Sequence, residues 1–414
     1  MKEITLKIPG DKSISHRAVI FGSLAEGRSS FKNFLASEDC LHTIQCFRDM
    51  GVKIHQEGNT VEIEGVGLYG LKEPAKPLYV GNSGTSIRLL TGILAGQKFD
   101  SEISGDESIQ KRPMKRIVEP LTQMGAVIEG DERNNNIYPP LIIKGGQQLK
   151  GINYKMPIAS AQVDSCIRLA GLYVPDTESS LIINNKGMKY RDHTERFLKW
   201  FKANKDVKKD KVLNIPSDIS SAAFFMVAGL IIPGLRIIMD NINLNKTRYG
   251  IVSVLKNMGG NIEIEWIYQE SLEDAGRITV ESSPLEFTNI NKEIIPTLVD
   301  EIPIIALAAA LAEGTTTITG AEELRHKESD RLHTVATELN RIGANVRELE
   351  DGLVIEGVKK LHSAACKSYG DHRIAMMLKI ANLVSEGEIT VDDEDCIKTS
   401  FPEFEELLKK LVTA

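Results

Sequence analysis

Six short polar turns in this chain each open directly onto an apolar, helix-like run. They are Pro9-Gly10-Asp11-Lys12-Ser13 before ISHRAVIFGSLAEG, Gly81-Asn82-Ser83-Gly84-Thr85 before SIRLLTGILAG, and Ala159-Ser160-Ala161-Gln162 before VDSCIRLAGL. The other three are Pro216-Ser217-Asp218 before ISSAAFFMVAGLIIPG, Val299-Asp300-Glu301 before IPIIALAAALAEG, and Tyr369-Gly370-Asp371-His372-Arg373 before IAMMLKIANLVSEG. Ser, Asp, Asn and Thr at a helix start satisfy backbone N–H groups that have no partner inside the helix. Helix N-termini also carry partial positive charge and attract anions. Lys12, Arg88 and Arg373 lie in three of these openings, and Arg17 lies inside the first helix. A fold that aims several such starts at one place binds a polyanion there.

A second repeat interleaves with the first. Amphipathic runs ending in an apolar residue and Gly lead into strand-like segments: CFRDMGVKI, LTQMGAVI, VLKNMGGNIEI and ELNRIGANV. The Gly suits a helix C-cap, and the alternation after it suits a half-buried strand. Together the repeats predict about six units of two helices and several strands, at periods longer than those of solenoids. Ordinary α/β alternation is the plainer alternative, but both signals recur in the same order. After Phe197 the segment KWFKANKDVKKDKVLNI is short and Lys-rich and lacks the Gly-strand signature. A shortened unit with an exposed, mobile loop is expected there. No Pro- or Gly/Ser-rich linker marks a boundary, so the division follows the repeats. Residues 1–11 and 217–414 are expected to form a discontinuous domain of three units. Residues 12–216 are expected to form an inserted domain of three units, the third shortened, with hinge crossings near 11 and 216.

A chain of 414 residues is long for a single core. No apolar stretch approaches the ~20 residues of a membrane span. The chain runs almost at once into the strand-like EITLKI, which argues against a targeting segment. Cysteines 40, 46, 166, 366 and 396 lack metal spacing and read as reduced thiols of a cytoplasmic protein. The net charge of −7 argues against nucleic acid as a partner. Basic helix openings on an acidic body suit small anionic substrates, and a monomer is the default expectation.

Single motifs are ambiguous. GDKS at 10–13 lacks the first Gly of a phosphate P-loop, which leaves Lys12, Ser13 and Arg17 grouped at a helix start. GNSGTSIR lets backbone approach a ligand closely, and so does any tight strand–helix turn. ELRHKESDRL reads either as a solvated charge run or as acid/base groups beside anion binders. Asp300 and Glu301 suit the first turn of a helix as caps, and Arg112 in QKRPMKR is equally open. His16, His193 and His372 lie in no metal-binding spacing, and no G-x-S-x-G elbow accompanies Ser13.

Taken together and in order, PGDKSISHRA, GNSGTSIRL, RPMKRIVEPL, ASAQVDS, RDHTER, SDISSAAFF, DEIPI, ELRHKESDRL, GDHRIAM and SFPEFEELL closely resemble the 5-enolpyruvylshikimate-3-phosphate synthases, from about Lys7 to Leu408. The resemblance implies a two-domain inside-out α/β barrel, each domain built from three βαβαββ units, with a cleft that closes on substrate. It implies transfer of the enolpyruvyl group of phosphoenolpyruvate to shikimate 3-phosphate with release of phosphate, without metal or organic cofactor. By position, Lys12, Ser13, Arg17, Ser160 and Gln162 look like the shikimate-phosphate end, with Asp300 and Lys327 near the reacting hydroxyl. Lys12, Gly84, Arg112, Gln162, Arg331 and Arg373 look like phosphoenolpyruvate binders, the arginines suiting carboxylate and phosphate alike. Lys12, Asp300 and Glu328 are the expected catalytic groups. Asp300 or Glu328 takes the hydroxyl proton, and Glu328 protonates C3.

Some positions depart from the family pattern. Tyr190 precedes RDHTER where many relatives have Ser. Lys186 or Gly187 stands near a position often held by a phosphate-binding Ser, and Thr399 stands where some relatives have Lys, with Lys398 one place off. Three other readings fit less well. The UDP-N-acetylglucosamine enolpyruvyltransferases have Lys-Asn where this chain has Lys12-Ser13, and a loop Cys that IQKRPMK lacks. A non-catalytic binding protein on this scaffold would have lost Lys12, Asp300, Glu328, Arg331 or Arg373. RNA-end processing conflicts with the acidic charge.

Overall fold

The computed structural model describes residues 2–157, 160–175, 181–184, 190–204, 210–267 and 272–413. The chain divides into two compact units, Met1–Asp11 with Pro216–Ala414, and Lys12–Ile215. The loop expected after Phe197 falls largely on 205–209, and Lys186 and Gly187 on 185–189, outside the described residues.

The inserted unit, Lys12–Ile215, has two four-stranded sheets of the same plan. In one, Lys211–Asn214 runs parallel to Glu26–Lys32, followed by antiparallel Thr60–Val66 and Lys53–Glu57. In the other, Leu78–Tyr79 runs parallel to Ser101–Ser104, followed by Asn136–Lys144 and Val127–Arg133. A two-stranded sheet pairs Asn153–Lys155 with Ile182–Asn184. The discontinuous unit repeats the plan with Lys2–Leu6, Leu235–Asn243, Ala275–Glu281 and Asn261–Ile267. It does so again with Asn289–Ile290, Thr315–Ile318, Leu353–Glu356 and Asn345–Glu348. Its last sheet pairs only His362–Cys366 with Glu386–Val391. Among the described residues, then, the antiparallel hairpin is missing from the sixth unit as well as the third.

Between the sheets, the chain places helices of two kinds. Helix Ile219–Ile231 is buried from Ile219 to Leu230, and Ile302–Ala310 is buried throughout. A helix that is apolar all round belongs in a core, and these two pack on each other and on His372–Ala381. The amphipathic helices Glu38–Asp49, Lys115–Gln123, Gly250–Asn257 and Arg331–Arg341 instead end at Gly51, Gly125, Gly259 and Gly343. All four glycines have φ between +84° and +101°, the left-handed region of a C-cap, and the expected strand follows each. Ser83, Ser160, Asp218 and Asp371 cap their helices through side-chain oxygens.

The crossings at 11 and 216 are tied together within the discontinuous unit. The Asp11 amide donates to the Pro216 carbonyl at 2.8 Å, the Asp218 amide to the Pro9 carbonyl at 2.9 Å, and the Ser217 hydroxyl to the Ile8 carbonyl at 2.7 Å. Beneath them the buried Arg248 guanidinium lies 3.5 Å from both Asp11 and Asp218.

Candidate functional site

In the inserted unit the candidate residues gather at three helix starts. Lys12 opens helix Lys12–Leu24, and its Nζ lies 2.5 Å from Asp39 Oδ2 at the start of Glu38–Asp49. One turn on, buried Arg17 is held in a fixed pose. Its Nε donates to Thr194 Oγ1 at 2.7 Å, Nη2 to Ser165 Oγ at 2.8 Å and Nη1 to the Ser13 carbonyl at 2.9 Å. Ser165 lies on helix Ala161–Gly171, which Ser160 caps by accepting from Val163 N.

Helix Gly84–Leu94 starts behind the Ser83 cap, and two guanidinium groups crowd its first residue, Gly84. A Cβ there would lie 2.8 Å from Arg88 Nη1 and 3.0 Å from Arg112 Nη1. Arg88 Nη1 donates to Gln162 Oε1 at 2.7 Å, and Gln162 Nε2 donates to Thr85 Oγ1 at 3.2 Å. Arg112 Nη2 donates to Asn82 Oδ1 at 2.6 Å and Ser108 Oγ at 3.0 Å. Neutral side chains thus orient two buried cations at one helix start, an arrangement suited to phosphate or carboxylate.

In the discontinuous unit the candidates converge on Arg331, 1% exposed. Its Nη2 donates to Glu328 Oε2 at 2.7 Å and to Asp371 Oδ1 at 3.1 Å. Its Nε donates to Asp371 Oδ2 at 2.8 Å, and its Nη1 to Asp300 Oδ1 at 3.3 Å. Lys327 Nζ lies 3.5 Å from Asp300 Oδ1 and 3.4 Å from Glu323 Oε1. Burial alone would push the Asp371 carboxyl up, but the Arg331 charge and hydrogen bonds outweigh it and hold it below the usual carboxylate range. Burial works against the charge on Arg331 too, and the surrounding carboxylates reverse the effect. Arg373 follows on the same turn, half-buried, its amide donating to Asp371 Oδ1 at 2.9 Å. Carboxylates beside lysine and arginine can exchange protons with a bound substrate while the cations hold its anionic groups.

Asp300 and Glu301 do not cap the helix Ile302–Ala310 that follows them. Pro303 in its first turn needs no N–H partner, so both carboxylates are available for other contacts. Asp300 faces Lys327 and Arg331, while Glu301 accepts from Ser220 and lies 3.9 Å from Arg248. The charge run ELRHKESDRL divides. Arg325 pairs with Asp330 and Glu348, each at 2.8 Å, and His333 with Glu348 at 3.0 Å, near the surface. Lys327, Glu328 and Arg331 turn to the carboxylate cluster.

Asp371 and Asp39 belong with these groups and are not among the sequence candidates; Arg88, read from sequence only as a basic helix-opening residue, belongs with them too. Asp371 stood in GDHR as a plain cap, and the signal that it does more is a partner 40 positions away. Tyr190 donates to Asp164 Oδ1 at 2.9 Å, and Asp164 Oδ2 accepts from Arg168 Nε at 2.7 Å. Thr399 Oγ1 donates to the Cys396 carbonyl at 2.8 Å, and Lys398 pairs with Asp395 at 2.6 Å. All five cysteines are buried thiols outside any disulfide, and burial pushes the thiols of Cys46, Cys366 and Cys396 up to about 12, a state that suits packing and not nucleophilic attack.

Comparison with known proteins agrees with this arrangement. The chain is 49% identical to the 3-phosphoshikimate 1-carboxyvinyltransferase of Alkaliphilus metalliredigens, covering 98% of this chain and 97% of that one. It is 50% identical to the enzyme of the same name from Bacillus velezensis, covering 98% and 96%. The solved EPSP synthase of Acinetobacter baumannii superposes with a TM-score of 0.82 at 42% identity, covering 99% of this chain and 95% of that one. The family described as EPSP synthase (3-phosphoshikimate 1-carboxyvinyltransferase) matches residues 3–408. With the repeated sheets, the buried apolar helices and the Arg331 cluster in place, the chain belongs to the EPSP synthase family.

Proposed function

We propose that this protein transfers the carboxyvinyl group of phosphoenolpyruvate to the 5-hydroxyl of shikimate 3-phosphate, releasing phosphate. The observation that carries the assignment of roles is the buried Arg331 joined to Asp300, Glu328 and Asp371, with Lys327 on Asp300. Residues of the inserted unit hold anions: Lys12, Ser13, Arg17, Ser160 and Gln162 for shikimate 3-phosphate, and Lys12, Gly84, Arg112 and Gln162 for phosphoenolpyruvate. Arg331 and Arg373 add to phosphoenolpyruvate binding, and Asp300 and Lys327 contact shikimate.

In the addition step the 5-oxygen bonds to C2 of phosphoenolpyruvate and its proton passes to Asp300. The C2–C3 π electrons take a proton from Glu328, giving a tetrahedral adduct. In the elimination step the bond from C2 to the phosphate oxygen breaks, and phosphate leaves with the electron pair and takes the proton that Asp300 received. Glu328 takes back a proton from C3, which restores the double bond and resets the residue. Lysine and arginine charges stabilise the phosphate throughout. The buried thiols support a cytoplasmic setting, and among the described residues no helix is long and apolar enough to cross a membrane. The proposal includes a monomer that needs no metal or cofactor.

The deciding experiment measures phosphate release with phosphoenolpyruvate and either shikimate 3-phosphate or UDP-N-acetylglucosamine, in EDTA. Release with shikimate 3-phosphate alone is expected; release with the nucleotide sugar alone would overturn the assignment. Two variants test the roles. Gly84→Ala places a methyl against Arg88 and Arg112 and is expected to raise KM for phosphoenolpyruvate on the order of tenfold through misplaced cations. An unchanged KM would remove these groups from the phosphoenolpyruvate site. Tyr190→Phe removes one part-buried hydrogen bond to Asp164, so kcat and both KM values should stay within about twofold. A larger loss would place the hydroxyl on substrate.

A further inference from the structure

We propose that His16 is a positioning residue: as an Nδ1–H donor it heads a chain of hydroxyls through Thr43 and Ser86 to Ser83, and so fixes the first turn of helix Gly84–Leu94. The inference deepens the reading above, which gives that turn to phosphoenolpyruvate.

The contacts are short and enclosed. His16 Nδ1 lies 2.8 Å from Thr43 Oγ1, Thr43 Oγ1 lies 2.7 Å from Ser86 Oγ, and Ser86 Oγ donates to Ser83 Oγ at 2.7 Å. None of the four residues is more than 1% exposed. They sit on Lys12–Leu24, on Glu38–Asp49 and at the start of Gly84–Leu94, so the chain links three helices.

Counting protons sets its direction. A hydroxyl has one proton, and Ser86 gives its own to Ser83, which also receives the Ser86 amide at 3.1 Å. The 2.7 Å contact between Ser86 and Thr43 therefore takes its proton from Thr43. The Thr43 hydroxyl is also placed to donate to the Asp39 carbonyl, at the longer distance of 3.2 Å. Sending the proton there instead would leave two oxygen lone pairs facing each other at 2.7 Å. With the Thr43 proton committed to Ser86, the ring must donate at Nδ1. The neutral imidazole then has a bare Nε2, which is buried with no hydrogen-bond partner. Burial first, then the charges of Lys12 and Arg17, hold the imidazole well below its usual range, so the ring stays neutral. Hydrogen bonds aligned in one direction in a buried setting polarise one another. Their end point, Ser83, caps the turn that carries Gly84, Thr85 and Arg88.

The test has two arms. In protein labelled with 15N-histidine, long-range proton–nitrogen correlation should show one ring protonated at Nδ1 and bare at Nε2, identified as His16 by its loss in His16→Asn. In kinetics, Thr43→Val breaks the chain without changing side-chain shape. It should raise KM for phosphoenolpyruvate about tenfold, as expected when a buried polar group loses its partner, with kcat and KM for shikimate 3-phosphate within about twofold. His16→Asn keeps an N–H donor near the Nδ1 position and should restore most of the affinity that His16→Phe loses. An Nε2–H tautomer, or a Thr43→Val enzyme with unchanged KM for phosphoenolpyruvate, would overturn the proposal. If His16→Phe fails to fold, the tautomer and Thr43→Val still decide. If the wild-type protein does not turn over phosphoenolpyruvate, the functional reading falls, and the tautomer alone judges the relay.

Discussion

Glu328→Gln is expected to lower kcat by roughly two to four orders of magnitude, the usual contribution of a positioned proton donor and acceptor, while both KM values stay within about threefold. The amide keeps the shape of the side chain and an oxygen that can accept from Arg331 Nη2, now at 2.7 Å from Glu328 Oε2. What it loses is the proton that C3 must gain in addition and return in elimination. Loss concentrated in kcat separates this role from simple substrate binding, which would appear in KM. Single-turnover measurements should show neither adduct nor product building up at the wild-type rate. Turnover near wild type would take Glu328 out of the chemistry and leave Asp300 as the remaining carboxylate for both proton transfers.

Asp371→Ala is expected to destabilise the protein by about 3–5 kcal/mol, the range found when one partner of a buried ion pair is removed. Asp371 is fully buried and accepts from Arg331 at 2.8 and 3.1 Å, from Ser329 Oγ at 2.9 Å and from its own helix at the Arg373 amide. Removing the carboxylate leaves the guanidinium buried beside Glu328 and Asp300 at less favourable geometry, and the helix loses its cap. Asp371→Asn keeps the cap and the shape and isolates the charge. The sign of its pH dependence follows from the depressed folded-state pKa of Asp371. A carboxyl depressed on folding contributes stability above its unfolded pKa of about 3.9, and that contribution is lost as pH falls through the folded value. Urea unfolding at pH 7 should therefore show wild type well above Asp371→Asn, and the gap should narrow below about pH 4. A gap that stays constant with pH would mean that packing, and not the Arg331 pair, accounts for the loss.

Local signals carried well from sequence to structure. Gly51, Gly125, Gly259 and Gly343 mark helix ends because positive φ suits Gly above other residues, and one residue is enough to show it. The apolar segment 219–231 announces a buried helix because apolarity on every face leaves no side for water. The site was less legible because its partners are remote in sequence. Nothing near Asp371 announces Arg331, nothing near Lys12 announces Asp39, and nothing near Glu301 announces Ser220. Asp300 and Glu301 looked like caps by type and position, and only the packed structure shows them turned towards cations. Lys12, Gly84, Arg112, Glu328 and Arg331 became candidates because ten ambiguous motifs stood in one order. No spacing within a single motif would have selected them.

The paired crossings have a consequence for how such a chain can be cut and rejoined. Entry to and exit from the segment 12–215 are one hydrogen bond apart, from the Asp11 amide to the Pro216 carbonyl at 2.8 Å. That segment is a cassette whose two ends meet. Deleting it requires a bridge of only a few residues from 11 to 216. Exchange of this cassette between relatives would therefore cut and rejoin the backbone only at 11–12 and 215–216, at the boundary between the two compact units.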